Sequence, residues 1–240
     1  MTDGELAAQL ATEAGKMLLA LRQTGGGKSL GDEGDRIANA YLCAAIRKAR
    51  PGDALLSEEE IDCTSRCAVS RVWIVDPLDG SREYGEGRDD WAVHVGLAID
   101  GVPVAGAVAL PAIDLTLSSS APPKASPANH PLKIAVSRTR PAEQAVMLAK
   151  AFGAELLPMG SAGAKAMAVV RGEADIYLHT GGQYEWDNCA PVAVAQAAGL
   201  HCSRIDGSPM QYNNANPYLP DLLICRPELA GQVLALVKSL

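Results

Sequence analysis

No stretch of this chain is apolar over the roughly 18–20 residues that a membrane-crossing helix needs. Its N-terminal stretch MTDGELAAQLATEAGKMLLALR lacks the basic start and continuous apolar middle of a secretory leader. Positive charge is short as well: 21 Lys and Arg against 28 Asp and Glu leave a net charge of -7. Nucleic acid and anionic membranes are held by basic faces that displace counterions, so neither is an expected partner. Six cysteines, at 43, 63, 67, 189, 202 and 225, are too few and too scattered for a disulfide framework. Cys63 and Cys67 stand four apart with no second CxxC or histidine pair to complete a zinc site. No segment repeats, and none of the four histidines sits in a nucleophile motif. The absences together point to a cytoplasmic protein with reduced thiols. With 48% of its 240 residues hydrophobic, it has enough apolar material for a large core.

Thr2 and Glu5 fit a capping box, and Leu6, Leu10, Ala14, Met17, Leu18 and Leu21 recur at helical spacing, which predicts an amphipathic first helix. After a flexible stretch, GGGKSLGDEG, a second helical pattern carried by Ile37, Tyr41, Leu42, Ala45 and Ile46 starts near Asp35 and stops before Pro51. RVWIVD reads as a strand, and WAVHVGLAI and VPVAGAVAL as a hairpin turning at Asp100–Gly101, with a further strand at Leu115 to Leu117. The Ser-, Ala- and Pro-rich segment that follows predicts a linker over 121–131, between an N-terminal α+β domain (1–120) and a C-terminal α/β domain (132–240). Beyond it strands KIAVS, AELLPM and ADIYLH alternate with helices at PAEQAVMLAKAF, Ser161 to Arg171 and Asp187 to Ala198, which predicts a layered α/β arrangement. PELAGQVLALVKSL reads as a closing helix.

Acidic residues gather at the ends of these elements: Asp32 and Asp35, Glu58 to Glu60, Asp76 and Asp79, and Asp187. Each alone could be a helix cap, a solvated surface run or a turn. Together they say more, because Asp76 closes a strand that reads as buried and Glu58 follows the apolar Ala54-Leu55-Leu56. Buried carboxylates of like charge are costly unless a hard divalent cation neutralises them. Pro77 fixes φ in a tight turn flanked by Asp76 and Asp79, whose carbonyls, that of Leu78 above all, can turn inward. Gly80 and Ser81 then offer N–H groups and a hydroxyl where a helix could begin, a cradle for phosphate oxygens. Bound cations would invert the local potential and let an acidic protein take a dianionic ester.

Asp76-Pro77-Leu78-Asp79-Gly80-Ser81 resembles the DPxDG(T/S) signature of the magnesium-dependent, lithium-sensitive phosphatase family of inositol monophosphatase, fructose-1,6-bisphosphatase and the CysQ-type 3'-phosphoadenosine 5'-phosphate phosphatases. Ser57-Glu58-Glu59-Glu60 is similar to its (G/S)EE segment, Gly160-Ser161 with Gly172-Glu173-Ala174-Asp175 to its GS…GxAD stretch, and Trp186-Asp187-Asn188-Cys189-Ala190 to its WDxAA motif. Two positions depart: Asp32 stands where the family's TxxD has threonine, and Cys189 replaces the first alanine of WDxAA. Gly163 stands where related sequences often carry a larger residue, which implies an unusual substrate pocket.

The resemblance implies an αβαβα sandwich of the α+β / α/β class and hydrolysis by water activated at two or three Mg2+ ions. Glu58, Asp76 and the Leu78 carbonyl would hold one ion, and Asp76, Asp79 and Asp187 another. Glu58 would orient the water, Asp35 would hydrogen-bond Ser81 and help activate it, and Gly80 and Ser81 would bind phosphate. Ser81-Arg82-Glu83-Tyr84 resembles the CysQ group, and Lys165 matches a lysine of its nucleotide-hydrolysing members. The implied substrate is therefore 3'-phosphoadenosine 5'-phosphate, or its 5'-phosphosulfate, in sulfate assimilation, with Ser161, Lys165 and residues near Tyr184 and Glu185 facing the nucleotide. Inositol-1-phosphate, fructose-1,6-bisphosphate and a broad substrate range stay open, as does a non-catalytic cation-binding module. A haloacid-dehalogenase-type site fails because its aspartates stand two apart. His94, inside a strand pattern, is expected in the core or at an interface, and Arg88 to Trp91 mark a place for a substrate or homodimer contact.

Overall fold

The structure, a computed structural model, describes residues 1–24, 29–124 and 126–239. Helix α1 (Asp3–Gln23) starts at the expected capping box: Thr2 Oγ1 accepts from Glu5 N at 3.2 Å, and Thr2 N donates to the Glu5 carboxylate at 2.8 Å. Helix α2 (Ser29–Ala49) begins earlier than the apolar spacing suggests, so Asp35 lies inside it and not at its start. The stretch before Asp35 is helical in spite of Gly31 and Gly34, because packing decides there against propensity. A Cβ at Gly34 would come within 2.9 Å of Leu78 Cδ2, and one at Gly31 within 3.2 Å of the Ser81 carbonyl oxygen. Residues 25–28 of the expected flexible stretch lie outside the described residues.

The first sheet runs β1 (Ala54–Ser57), β2 (Arg71–Asp79), β3 (Ala92–Ile99), β4 (Val102–Leu110) and β5 (Leu115–Ser118) in that spatial order, with β1 parallel to β2 and every other pair antiparallel. The expected turn between β3 and β4 is formed by Asp100 and Gly101, both at positive φ. The second sheet contains β6 (Lys133–Ser137), β7 (Glu155–Met159), β8 (Ile176–Tyr184), β9 (His201–Ser203) and β10 (Tyr218–Cys225), in the order β7-β6-β8-β10-β9. Its β6, β7 and β8 are parallel, whereas β10 pairs antiparallel with both β8 and β9. The alternation of strands and helices in the sequence leaves β9 and β10 out and ends β8 too early.

Three apolar cores hold five layers together, one of them running through the middle layer. Alternate residues of β2 and β3, Trp73, Val75, Val93, Val95 and Leu97, pack against α1 and α2. The opposite face of that sheet packs on α5 (Ala162–Val170) and α6 (Glu185–Ala197), which also meet the inner face of the second sheet. On the outer face of the second sheet lie α4 (Glu143–Phe152) and α7 (Pro227–Lys238) around Leu148, Leu223 and Val233. The order α-β-α-β-α is the expected sandwich.

The middle layer comes unusually close to the first sheet where Gly96 and Gly106 pair across β3 and β4. A Cβ on Gly96 would lie 2.9 Å from Ala190 N, and one on Gly106 2.9 Å from Ala190 O. The backbone of α6 rests on these two glycines, shortly after Asp187. Gly106→Val is therefore expected to cost about 1–3 kcal/mol, the usual cost of overpacking. A urea midpoint equal to that of the unaltered protein would contradict this packing.

Candidate active site

Asp76 and Asp79 are three residues apart, and in a regular strand they would project to opposite faces. They do not, because β2 is bulged between them: Asp76 pairs with His94 and Asp79 with Ala92, so three steps on β2 face two on β3. One extra residue restores the phase, and Pro77, which has no N–H to give a ladder, sits within the irregular stretch. Leu78 then turns toward α1 and α2 while both aspartates face the middle layer. The Asp76 carboxylate stabilises the bulge by accepting from Leu78 N at 3.0 Å. The tight turn expected from Asp76 onward is thus displaced: the strand continues to Asp79, and the chain turns at Gly80, φ +87°. A short helix, α3 (Ser81–Gly85), follows.

Asp187 arrives from the other side as the third residue of α6, where its carboxylate accepts from Tyr184 N at 2.6 Å. This favourable helix-start position aims the acid at the sheet. Asp76, Asp79 and Asp187 each offer an oxygen within 4.8 Å of the others. Glu58, just after β1 and tied by its N–H to Val75 O at 3.3 Å, stands at the exposed rim of this group. Although the residue as a whole is open to solvent, the protein packed around its carboxyl, and then the charge of Asp187, push that group up to about 7. Asp187 is pushed up to about 6 by burial and by Asp79. Asp76 is raised by burial and by Glu58, and Asp35 is pushed up to about 8 by burial and then by Glu59, Glu58 and Asp32.

Asp79 behaves differently. Burial drives its carboxyl upward, but His94, the Gly163 N–H and Lys165 together pull it below the usual range. Its two oxygens accept from Ala162 N at 3.2 Å and Gly163 N at 2.5 Å, the first amides of α5. A side chain of the first sheet therefore caps a helix of the middle layer, beside Ser161, whose hydroxyl accepts from Ala164 N at 3.0 Å. His94 Nε2 stands 3.1 Å from Asp79 Oδ2 without hydrogen-bond alignment, and Nδ1 donates to Trp186 O at 3.0 Å. Burial depresses the imidazole, and Asp79 outweighs it, so the net shift is upward. The expectation of a core histidine is met in burial but misses this contact. The clue lay in the ladder, where His94 stands opposite Asp76.

The remaining expected residues divide. Gly163 does not enlarge a pocket, because a Cβ there would collide with His94 Nε2. Lys165 is buried beside the cluster, its ammonium donating to the carbonyls of Gly160 and Ser161 and lying 5.5 Å from the Tyr177 ring centre. Glu185 is not brought to the cluster: fully buried, it accepts from Asn213 N at 2.7 Å and from Asn214 N and Nδ2 at 2.8 Å, fastening that loop. Ser81 lies against α2 at Gly31, but among the described residues no hydrogen bond joins it to Asp35. Asp90 holds the turn into α5, accepting from Gly160 N at 2.6 Å while paired with Arg88 at 2.7 Å.

Four carboxylates face the single imidazole of His94 and the ammonium of Lys165, so negative charge is left uncompensated in a buried place. Oxygen donors so crowded suit a hard divalent cation. The inositol monophosphatase family model matches residues 5–239. The chain belongs to the inositol monophosphatase family. Among the relatives of this family member are a 3'-phosphoadenosine 5'-phosphate phosphatase of Mycobacterium leprae, 46% identical over 100% of this chain and 94% of the relative, and a Mycobacterium bovis protein of the same name, 49% identical over 95% and 90%. The 3'(2'),5'-bisphosphate nucleotidase CysQ of Escherichia coli is 28% identical over 77% of this chain and 80% of its own. The fold is shared with CysQ from Bacteroides thetaiotaomicron, TM-score 0.79 at 22% identity over 93% of this chain and 97% of that one. It is shared equally with an inositol monophosphatase from Anabaena, TM-score 0.78 at 21% identity over 99% and 95%.

The acid-rich site of this inositol monophosphatase family member has a consequence for stability. Without a cation, Asp35, Glu58 and Asp187 titrate in the folded state at about 8, 7 and 6, against roughly 4 when unfolded. Folding binds protons in that interval, so the stability these groups contribute is full below about pH 4 and is lost as pH rises through about 6 to 8. In EDTA the Tm is expected to fall across that window, and added Mg2+ to raise it most at the alkaline end. A Tm that rises with pH in EDTA, measured by scanning calorimetry, would contradict the crowding.

Proposed function

We propose that this protein is a Mg2+-dependent phosphomonoesterase that converts 3'-phosphoadenosine 5'-phosphate to AMP and phosphate. The observation that carries this reading is the carboxylate trio Asp76, Asp79 and Asp187, in a chain similar over nearly its whole length to proteins named for that activity. The 5'-phosphosulfate is a second substrate by the same chemistry, which links the enzyme to sulfate assimilation. Six free cysteines accord with a reducing cytoplasm.

Asp76, Asp79 and Asp187 would hold Mg2+, with Glu58 and the Leu78 carbonyl completing the donor set. Bound there, two or three Mg2+ would supply Lewis acidity and lower the pKa of water. The chain's own groups do the rest. Glu58, at the exposed rim, orients the attacking water. The Gly80 N–H and the Ser81 N–H and hydroxyl hold phosphate oxygens, at a turn whose positive φ suits glycine. Asp35 accepts the proton passed through Ser81 in its carboxylate form, which requires bound cations to offset the burial and neighbouring acids that raise its carboxyl, and the two side chains to approach one another on binding. Asp79 does not move, since the α5 amides hold both of its oxygens.

Phosphate release measured with Mg2+ on 3'-phosphoadenosine 5'-phosphate, inositol-1-phosphate and fructose-1,6-bisphosphate tests the assignment. The highest kcat/KM is expected on the nucleotide, with inhibition by Li+, and Asp79→Asn is expected to lose about a hundredfold or more. A preference for the sugar phosphates would overturn the substrate, and cation binding without turnover on any ester would overturn the reaction.

A further inference from the structure

The polar residues expected to read the substrate are largely engaged by the protein itself. Lys165 is 4% exposed and donates to two carbonyls, Ser161 caps α5, and Glu185 is 0% exposed and holds a loop. Recognition of the organic half of the ester must then come from other atoms near Asp187.

Aromatic side chains are scarce in this sequence: six Tyr, three Trp and one Phe. Most are inside, and among the described residues only Tyr184 and Tyr218 are exposed aromatics, each at 45%. They are neighbours, paired across β8 and β10 with their rings edge to face, centres 6.0 Å apart. Tyr184 lies flat on Trp186, with ring centres 4.7 Å apart and planes within 7°. Gly182, at φ +92°, leaves the space that the Tyr218 ring takes, where a Cβ would meet it at 2.5 Å. The ledge is fastened to the acid cluster, because Tyr184 N donates to the Asp187 carboxylate.

Leaving two large aromatic faces in water next to Asp187 costs hydrophobic free energy, which a flat, π-rich ligand would recover. We propose that Tyr184, backed by Trp186 and walled by Tyr218, is the stacking surface for the base of the nucleotide substrate. This rests on the reading of the substrate as a nucleotide. Stacking is tolerant of base identity, so adenine is selected here for its π-face and not for a particular edge. The backing ring makes the surface rigid, and the link through Tyr184 N sets its distance from the phosphate end.

The test is calorimetric titration, in Mg2+, of AMP and of ribose 5-phosphate, which lacks the base, into the full-length protein. AMP is expected to bind roughly tenfold tighter. Tyr184→Ala should remove that advantage and leave ribose 5-phosphate unchanged, Tyr184→Phe should keep it, and Tyr218→Ala should reduce it. Trp73 and Trp91 are fully buried, so quenching of fluorescence by AMP but not by ribose 5-phosphate would report Trp186 beneath the base. Equal affinity of the two ligands for the unaltered protein would overturn the proposal. So would a Tyr184→Ala loss shared equally by both, which would make Tyr184 a support for Asp187 only. The reaction is judged separately, by phosphate release: an AMP advantage that depends on Tyr184 in a protein that does not cleave the bisphosphate would overturn the activity and support the ledge.

Discussion

The site depends on one additional residue in a strand. Pro77 and Leu78 shift the phase of β2, so that carboxylates three residues apart face the same side. A regular strand would bury one of them against α1 and α2, where Leu78 and Leu18 now lie together over Gly34. The bulge thus does two things at once: it seats an apolar side chain in one core and presents two acids to the middle layer. Its cost is a broken ladder, and the Leu78 N–H is recovered by the Asp76 carboxylate itself.

From that point the acids act as fasteners between layers. Asp79 accepts the first amides of α5, and Asp187 accepts the amide just before α6, so the two helices between the sheets are positioned by the groups proposed to hold cations. The paired glycines Gly96 and Gly106 let α6 descend onto the sheet, and Gly163 makes room for His94 against Asp79. Such over-determined placement is what a preorganised site requires, since carboxylates of like charge would otherwise move apart. Of these acids Asp79 alone is held below the usual range, with His94 as the main opposing charge, whereas Asp76, Asp187, Glu58 and Asp35 are all raised. The charge imbalance is therefore concentrated away from Asp79, toward the open side of the cluster.

Much of this was legible in the residues, and the failures have physical causes. The layered architecture, the first helix with its cap and the β3–β4 hairpin follow from period and turn chemistry, and the acid set from its position at element ends. The start of α2 was hidden because Gly31 and Gly34 signal a break locally and serve close packing globally. β10 was missed because YLPDLLIC carries a proline and follows a long irregular stretch, although Pro220 falls at the irregularity between Leu219 and Asp221, where a strand tolerates a residue without an N–H. DPLDG reads as a turn by composition, and only the pairing register reveals that the strand runs through it. Glu185 and Lys165 look like ligand-facing charges in sequence, whereas burial and their backbone partners show how they are used within the protein. His94 could be weighed only once its strand was set opposite Asp76.

The most direct test of the central claim is an anomalous difference map from crystals soaked in Mn2+, which substitutes for Mg2+ at oxygen-rich sites. The account predicts a peak bounded by the carboxylates of Asp76, Asp79 and Asp187, with those three side chains unmoved. A map with no peak there, or with Mn2+ only at surface acids such as Glu59 and Glu60, would contradict it.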